Sequence, residues 1–144
     1  IKKFNKKKIV SGFTTNPSLM RKAGAKNYLD YCKKILKICK NKPISFEVFA
    51  DDYINMKYQA YKLNSLGKNV YVKIPVYNSK GKFSGKIIKL LNREKIKLNI
   101  TAVYNAKQTK KILDCLDKKT KVIISIFVGK LKREKHEKNL LIYF

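Results

Sequence analysis

The sequence predicts an α/β fold on a parallel sheet, curling as a (β/α)8 TIM-type barrel and incomplete. Three observations predict it. Five short apolar runs recur at intervals of one βα unit, amphipathic helical stretches fill the gaps, and no Gly-rich phosphate loop follows any run. Parallel strands need a crossover of a dozen or more residues, usually a helix, so this alternation implies a sheet covered by helices. A doubly wound sheet and a barrel both satisfy the pattern. Gly67-Lys68-Asn69 and Gly81-Lys82-Phe83-Ser84-Gly85 match neither the dinucleotide nor the P-loop fingerprint, which leaves the barrel. A typical barrel has eight strands and about 250 residues; five runs in 144 residues fall short of both.

The first run is Ile9-Val10-Ser11-Gly12-Phe13. Asn16 then precedes Pro17, the pattern of a helix N-cap with proline at the first helical position. Tyr28, Leu29, Cys32, Ile35, Leu36 and Cys39 line one face of a helix, so both cysteines read as core fillers. The second strand is expected over Ile44 to Phe49, with Tyr53, Met56, Ala60 and Leu63 marking the helix after it. Val70 to Val76 is the third strand, followed by a helix through Ile87, Ile88 and Leu91. Leu98 to Val103 is the fourth, followed by a helix through Ala106, Ile112, Leu113 and Leu116; Val122 to Val128 is the fifth. The terminal run Leu140-Leu141-Ile142-Tyr143-Phe144 has high β-propensity and little charge, and is expected to pair with an open sheet edge.

Composition excludes several classes. The longest nearly apolar run, Val122 to Val128, is interrupted by Ser125 and far below the roughly 20 residues of a membrane helix. Ile1 to Lys8 is basic, but no apolar segment of a secretory signal follows it. Cys32, Cys39 and Cys115 are odd in number and not at zinc spacing, against a disulfide framework or structural metal and in favour of a reducing, cytoplasmic home. The net charge of +26 invites a nucleic-acid reading. Only Arg21, Arg93 and Arg133 among the 35 basic residues are arginine, however, and the remaining 32 lysines run through the whole length. The planar fork that reads guanine and phosphate is nearly absent, so the lysines read as solvated faces.

A strand buried on both faces should be apolar, so polar residues within the runs are informative. Lys73 stands inside Val70-Tyr71-Val72-Lys73-Ile74-Pro75-Val76. An ammonium there loses solvation, which favours the free amine, a nucleophile toward carbonyls. Glu47, mid-strand in Ile44-Ser45-Phe46-Glu47-Val48-Phe49, is either its ion-pair partner or a general acid/base. Asn99 and Thr101, at i and i+2, face one side, and Ser125 and Phe127 repeat that spacing. One polar side chain per strand, repeated round a barrel, describes a site at the C-terminal strand ends. His136 reads as a solvated bystander.

Thr14-Thr15-Asn16-Pro17-Ser18-Leu19, Ile44-Ser45-Phe46-Glu47-Val48, Val72-Lys73-Ile74-Pro75, Asn99-Ile100-Thr101 and Ser125-Ile126-Phe127-Val128-Gly129, in that order, closely resemble the transaldolase family over residues 1 to about 131. The resemblance implies that Lys73 forms a Schiff base with a ketose phosphate, with Glu47 acting through a water held by Thr101. It implies Thr15, Asn16, Asn99 and Ser125 as substrate-binding residues with Phe127 packing beside them. The similar fructose 6-phosphate aldolases carry Gln and Tyr where this chain has Glu47 and Phe127, so the sequence sides with transaldolase. No metal or organic cofactor is expected, since the protonated imine is itself the electron sink.

The departures shape the remaining expectations. The resemblance implies that the first strand, with its acid/base aspartate, and the last two βα units are missing, so the chain starts mid-protein. Lys130 stands where most relatives carry an arginine, keeping charge for a phosphate without the bidentate fork. Residues 1–131 are expected to form the partial barrel and 132–144 a divergent basic and apolar tail. Open edges make instability or self-association into a homo-oligomer an expectation. The expected function is transfer of a dihydroxyacetone unit between sugar phosphates, with no specific nucleic-acid partner and no membrane. Two other readings stay open: an inactive truncated barrel and a lysine-rich nucleic-acid-binding protein.

Overall fold

The computed structural model describes residues 1–117 and 119–127, and the backbone of 139–143. Its sheet has strand order β1-β2-β3-β4-β5-β6: Phe13–Thr14, Ile44–Glu47, Val70–Pro75, Leu98–Val103, Val122–Phe127 and Asn139–Tyr143. β1 to β5 are parallel, each to the next, and β6 runs antiparallel to β5. Helices α1 (Lys2–Asn5), α2 (Pro17–Lys22), α3 (Tyr28–Ile38), α4 (Tyr53–Asn64), α5 (Gly85–Arg93) and α6 (Ala106–Leu113) complete the described elements. The sheet curls as a half-barrel: a cavity of about 70 Å³ is bordered by Phe13 and Thr14 of β1, Ser45 of β2, Asn99 of β4 and Ile123 of β5.

Alternation along each strand divides the sheet into two unlike faces. Phe46, Val72, Ile74, Ile100 and Ile124 share the outer face by register and belong to one cluster with Cys32, Ile35, Met56, Ala60, Leu63, Ile88, Leu91 and Ile112 of the helices. Burying each such large aliphatic side chain stabilises by about 1.5–3 kcal/mol. The inner face carries Ser45, Tyr71, Lys73, Asn99 and Ile123 in register, all buried. Cys32 and Cys39 are fully buried, as core fillers should be.

Local chemistry starts the helices. Asn16, Asn27, Asp52 and Asn105 each accept the backbone N–H three residues on, capping α2, α3, α4 and α6. Each such cap contributes about 1 kcal/mol. Glutamines end two strands. Gln59 Oε1 accepts the Phe49 and Ala50 amides at 2.9 and 3.0 Å, and Gln108 Oε1 accepts that of Tyr104 at 2.7 Å. These bonds occupy amides that lie beyond β2 and β4.

Several expectations need correcting. The first apolar run is no strand before Phe13: Val10 closes a turn on Lys7, and Ile9 is 89% exposed. Only Phe13–Thr14 runs beside β2, which begins just after Pro43. Glu47 is the last residue of β2 rather than mid-strand: Val48 N still bonds to Lys73 O, but Gln59 takes the amides of Phe49 and Ala50. Helix α6 stops at Leu113, short of Leu116, and the short α1 has no apolar periodicity to announce it. The terminal run does pair with a sheet edge, over Asn139–Tyr143. Val128, Gly129, Lys130, His136 and Phe144 lie outside the described residues.

Candidate functional site

β3 is flanked on both sides, by β2 and β4, so Lys73 is not at a sheet edge. Its residue is 7% exposed, and its Nζ lies 3.4 Å from Glu47 Oε2 on the neighbouring strand. Register explains the meeting, since Glu47 and Lys73 are cross-strand partners on the inner face. Burial pushes the Glu47 carboxyl above its usual range, and the Lys73 charge draws it partly back.

The other polar residues form a chain across the same face. Asn99, cross-strand partner of Lys73, donates from Nδ2 to Ser45 Oγ at 2.9 Å. It accepts at Oδ1 from Ser125 Oγ at 2.7 Å. All three residues are at most 4% exposed. The structure thus links β2, β4 and β5 through an asparagine that uses both ends of its amide.

Thr101 occupies a special place on β4. The β4–β5 register steps from Ile100 opposite Ile124 to Val103 opposite Ile126, leaving Thr101 and Ala102 against Ser125 alone. Ala102 accommodates this bulge at φ +58°, a left-handed conformation that costs a residue with a Cβ about 1–2 kcal/mol. Thr101 is 2% exposed, and its hydroxyl has no hydrogen-bond partner among the described residues. A buried hydroxyl so placed is free to bind another polar atom.

The remaining predicted residues stand at the C-terminal strand ends. Thr15 is buried just beyond β1, with a long 3.5 Å bond from its hydroxyl to the Asn16 carbonyl. Asn16 Oδ1 is occupied as the α2 cap, accepting from Leu19 N at 2.8 Å. Half-buried Phe127, at the end of β5, meets the Tyr104 ring edge-on at 5.8 Å. The structure therefore brings together Lys73 with Glu47, and Asn99 with Ser125, but records no contact joining Asn16 or Phe127 to those groups. Lys130 lies outside the described residues.

Sequence reasoning missed Ser45, although its signal was present: it stands at i−2 from Glu47, the spacing used for Asn99 and Thr101. It also missed Tyr28, whose hydroxyl donates to the Glu47 carbonyl at 2.7 Å. Among the described residues no group of three His, Cys, Asp or Glu side chains could hold a metal ion. No described helix is long and apolar enough to cross a membrane. A hollow of about 450 Å³ between the starts of α4 and α5 includes none of the inner-face residues. A buried amine beside a carboxylate, with hydrogen-bonding groups spread over adjacent strands, is an arrangement suited to attack on a polyhydroxylated carbonyl compound.

Comparison with known proteins points the same way. The sequence profile described as transaldolase/fructose-6-phosphate aldolase matches residues 1–141. A probable transaldolase of Methanococcus maripaludis strain C6 is 37% identical over 131 residues, 91% of this chain and 56% of its own length. Probable transaldolases of Thermoanaerobacter sp. strain X514 and Clostridium kluyveri are 37% and 38% identical over 108 residues, 75% of this chain and 47% of theirs. The chain thus spans about half the length of the curated relatives it matches.

Proposed function

Since the chain belongs to the transaldolase/fructose-6-phosphate aldolase family, we propose that it carries a transaldolase-type Schiff-base site, with Lys73 as the nucleophile. The single observation behind this reading is the Lys73–Glu47 pair: an amine 7% exposed on an inner strand, 3.4 Å from a carboxylate. Such a pair adds little to stability, since the cost of taking both ions out of water offsets much of their attraction.

In the proposed reaction the Lys73 amine attacks the ketose carbonyl carbon of a sugar phosphate, giving a carbinolamine. Loss of water leaves the protonated imine. Glu47, with its carboxyl raised by burial, relays the protons of these steps through a water that Thr101 holds; the unpartnered hydroxyl of Thr101 supports that role. Retro-aldol cleavage then breaks the carbon–carbon bond and releases glyceraldehyde 3-phosphate, solvent taking the proton of the hydroxyl that becomes the aldehyde and the imine taking the electron pair as an enamine. The enamine attacks erythrose 4-phosphate, and hydrolysis of the new imine frees Lys73. Electrons are conserved without an added redox group.

Asn99 and Ser125 are proposed to orient the dihydroxyacetone hydroxyls, with Thr15 and Asn16 on the β1 side and Phe127 as an apolar wall. Lys130 is the proposed phosphate contact. Residues 1–131 are the proposed partial barrel and 132–144 the tail, of which Asn139–Tyr143 pairs with β5. The family suggests a cytoplasmic place in the pentose phosphate pathway. The direct test is borohydride reduction with fructose 6-phosphate, which should attach a dihydroxyacetone-derived mass to the peptide containing Lys73 and to no peptide of K73M.

A further inference from the structure

We infer that Tyr28 is a positioning residue for Glu47, supplying to β2 the hydrogen bond that β1 cannot. The inference rests on the proposed role of Glu47 and deepens it.

In a parallel ladder, alternate residues turn their amides and carbonyls toward opposite neighbours. Val48 N bonds to Lys73 O at 3.0 Å, so the even residues of β2 face β3. The Ser45 carbonyl accepts from Thr15 N at 3.1 Å, so the odd residues face β1. The next carbonyl on the β1 side is that of Glu47, and its donor in register would stand two residues beyond Thr15. That residue is Pro17, which has no N–H and already opens α2. A buried carbonyl left without a donor is costly and free to twist.

Tyr28 fills the gap from α3, its hydroxyl donating to Glu47 O at 2.7 Å. Asn27 caps that helix and so fixes Tyr28 as its first residue. The ring is braced edge-on by Phe49, at 5.4 Å between centroids and 79° between planes. Gln59 holds the next two amides, those of Phe49 and Ala50. The residue carrying the carboxylate is thus tied on one side by a tyrosine and just downstream by a glutamine. Burial first, and the neighbouring Cys32 and Glu47 next, push the Tyr28 hydroxyl far above its ordinary 10, so it stays protonated and a donor.

The test is Tyr28→Phe, which keeps the ring against Phe49 and removes only the donor. The readout is the rate of borohydride-trapped imine at Lys73 with fructose 6-phosphate, with circular dichroism confirming the fold. Y28F is expected to lower the rate about 3- to 30-fold, with the half-saturating sugar concentration within about twofold, as displacement of an acid/base group does. In the Glu47→Gln background the same change is expected to alter the rate by less than about twofold. An unchanged rate, or an equal loss in both backgrounds, overturns the inference. Should Y28F unfold, Gln59→Met and Gln59→Glu carry the comparison: the glutamate keeps the acceptor and is expected to recover most of the rate that methionine loses, and equal loss in both overturns it.

If the unaltered chain traps no imine at Lys73, the catalytic reading fails, and the inference is then read from the Glu47 carboxyl by carbon-13 NMR. Displacement of its titration midpoint in Y28F by about 0.3 pH unit or more upholds the positioning role. Superimposable curves overturn it.

Discussion

Replacing Asn99 by leucine separates what the inner polar chain does for stability from what it does for chemistry. Leucine repeats asparagine's four side-chain heavy atoms and its branch at Cγ, so N99L leaves no cavity but removes both ends of the bridge. Ser45, 2% exposed, loses the donor 2.9 Å away, and Ser125, 4% exposed, loses the acceptor at 2.7 Å. Each orphaned buried hydroxyl costs about 1–3 kcal/mol, so N99L is expected to destabilise by about 2–6 kcal/mol. Removing all three polar partners orphans nothing. The triple variant S45A/N99L/S125A is therefore expected to recover at least half of the loss, because an apolar replacement of a whole buried network is often nearly neutral. Urea unfolding followed by circular dichroism gives both values, and borohydride trapping at Lys73 gives function, which is expected to fall at least tenfold in both variants. An N99L loss below about 0.5 kcal/mol, or a triple variant less stable than N99L, would refute the reasoning.

Three further outcomes follow from the same structure. Glu47 is raised above its ordinary 4.5, so the folded state holds that proton more tightly; the stability it contributes is full below pH 4.5 and is lost as pH rises through the folded value. Urea midpoints are expected to decline upward from pH 4.5 more steeply in the unaltered chain than in E47Q, and parallel profiles would contradict the assignment. Asp51 and Asp52, lowered from 3.8 by hydrogen bonds from Ser79 and Asn55, act in the opposite sense: their contribution is present above pH 3.8 and lost as pH falls. The double variant D51N/D52N is expected to flatten the acid limb of the unfolding profile below pH 3.8. Asn16→Ala removes the α2 cap and is expected to cost about 0.5–2 kcal/mol by urea unfolding, whereas Asn16→Asp keeps an acceptor and most of the stability.

The sequence made the parallel sheet and its polar inner face legible because β3, β4 and β5 follow simple rules. Alternation put Lys73 and Asn99 opposite the apolar Val72, Ile74 and Ile100, and register then brought Glu47 to Lys73. What stayed hidden depends on non-local partners. The run from Ile9 reads as a strand by composition, yet β2 begins only after Pro43, so only Phe13–Thr14 finds a partner. The end of β2 at Glu47 is set by Gln59, twelve residues away and carrying no strand signal. The bulge at Ala102 is announced by no glycine. Tyr28 looked like one more apolar residue on the face of α3, and its role emerges only once Pro17 is seen to leave the Glu47 carbonyl without a ladder donor.

The central claim is that Lys73 is a nucleophile selected by its surroundings from 32 lysines. Borohydride reduction of the chain with fructose 6-phosphate, followed by peptide mass spectrometry, tests it most directly. The account predicts one dihydroxyacetone-derived adduct, on the Lys73 peptide, absent from K73M and formed at least tenfold more slowly in E47Q. Adducts spread over many exposed lysines, or a folded chain in which Lys73 stays unmodified, would contradict it.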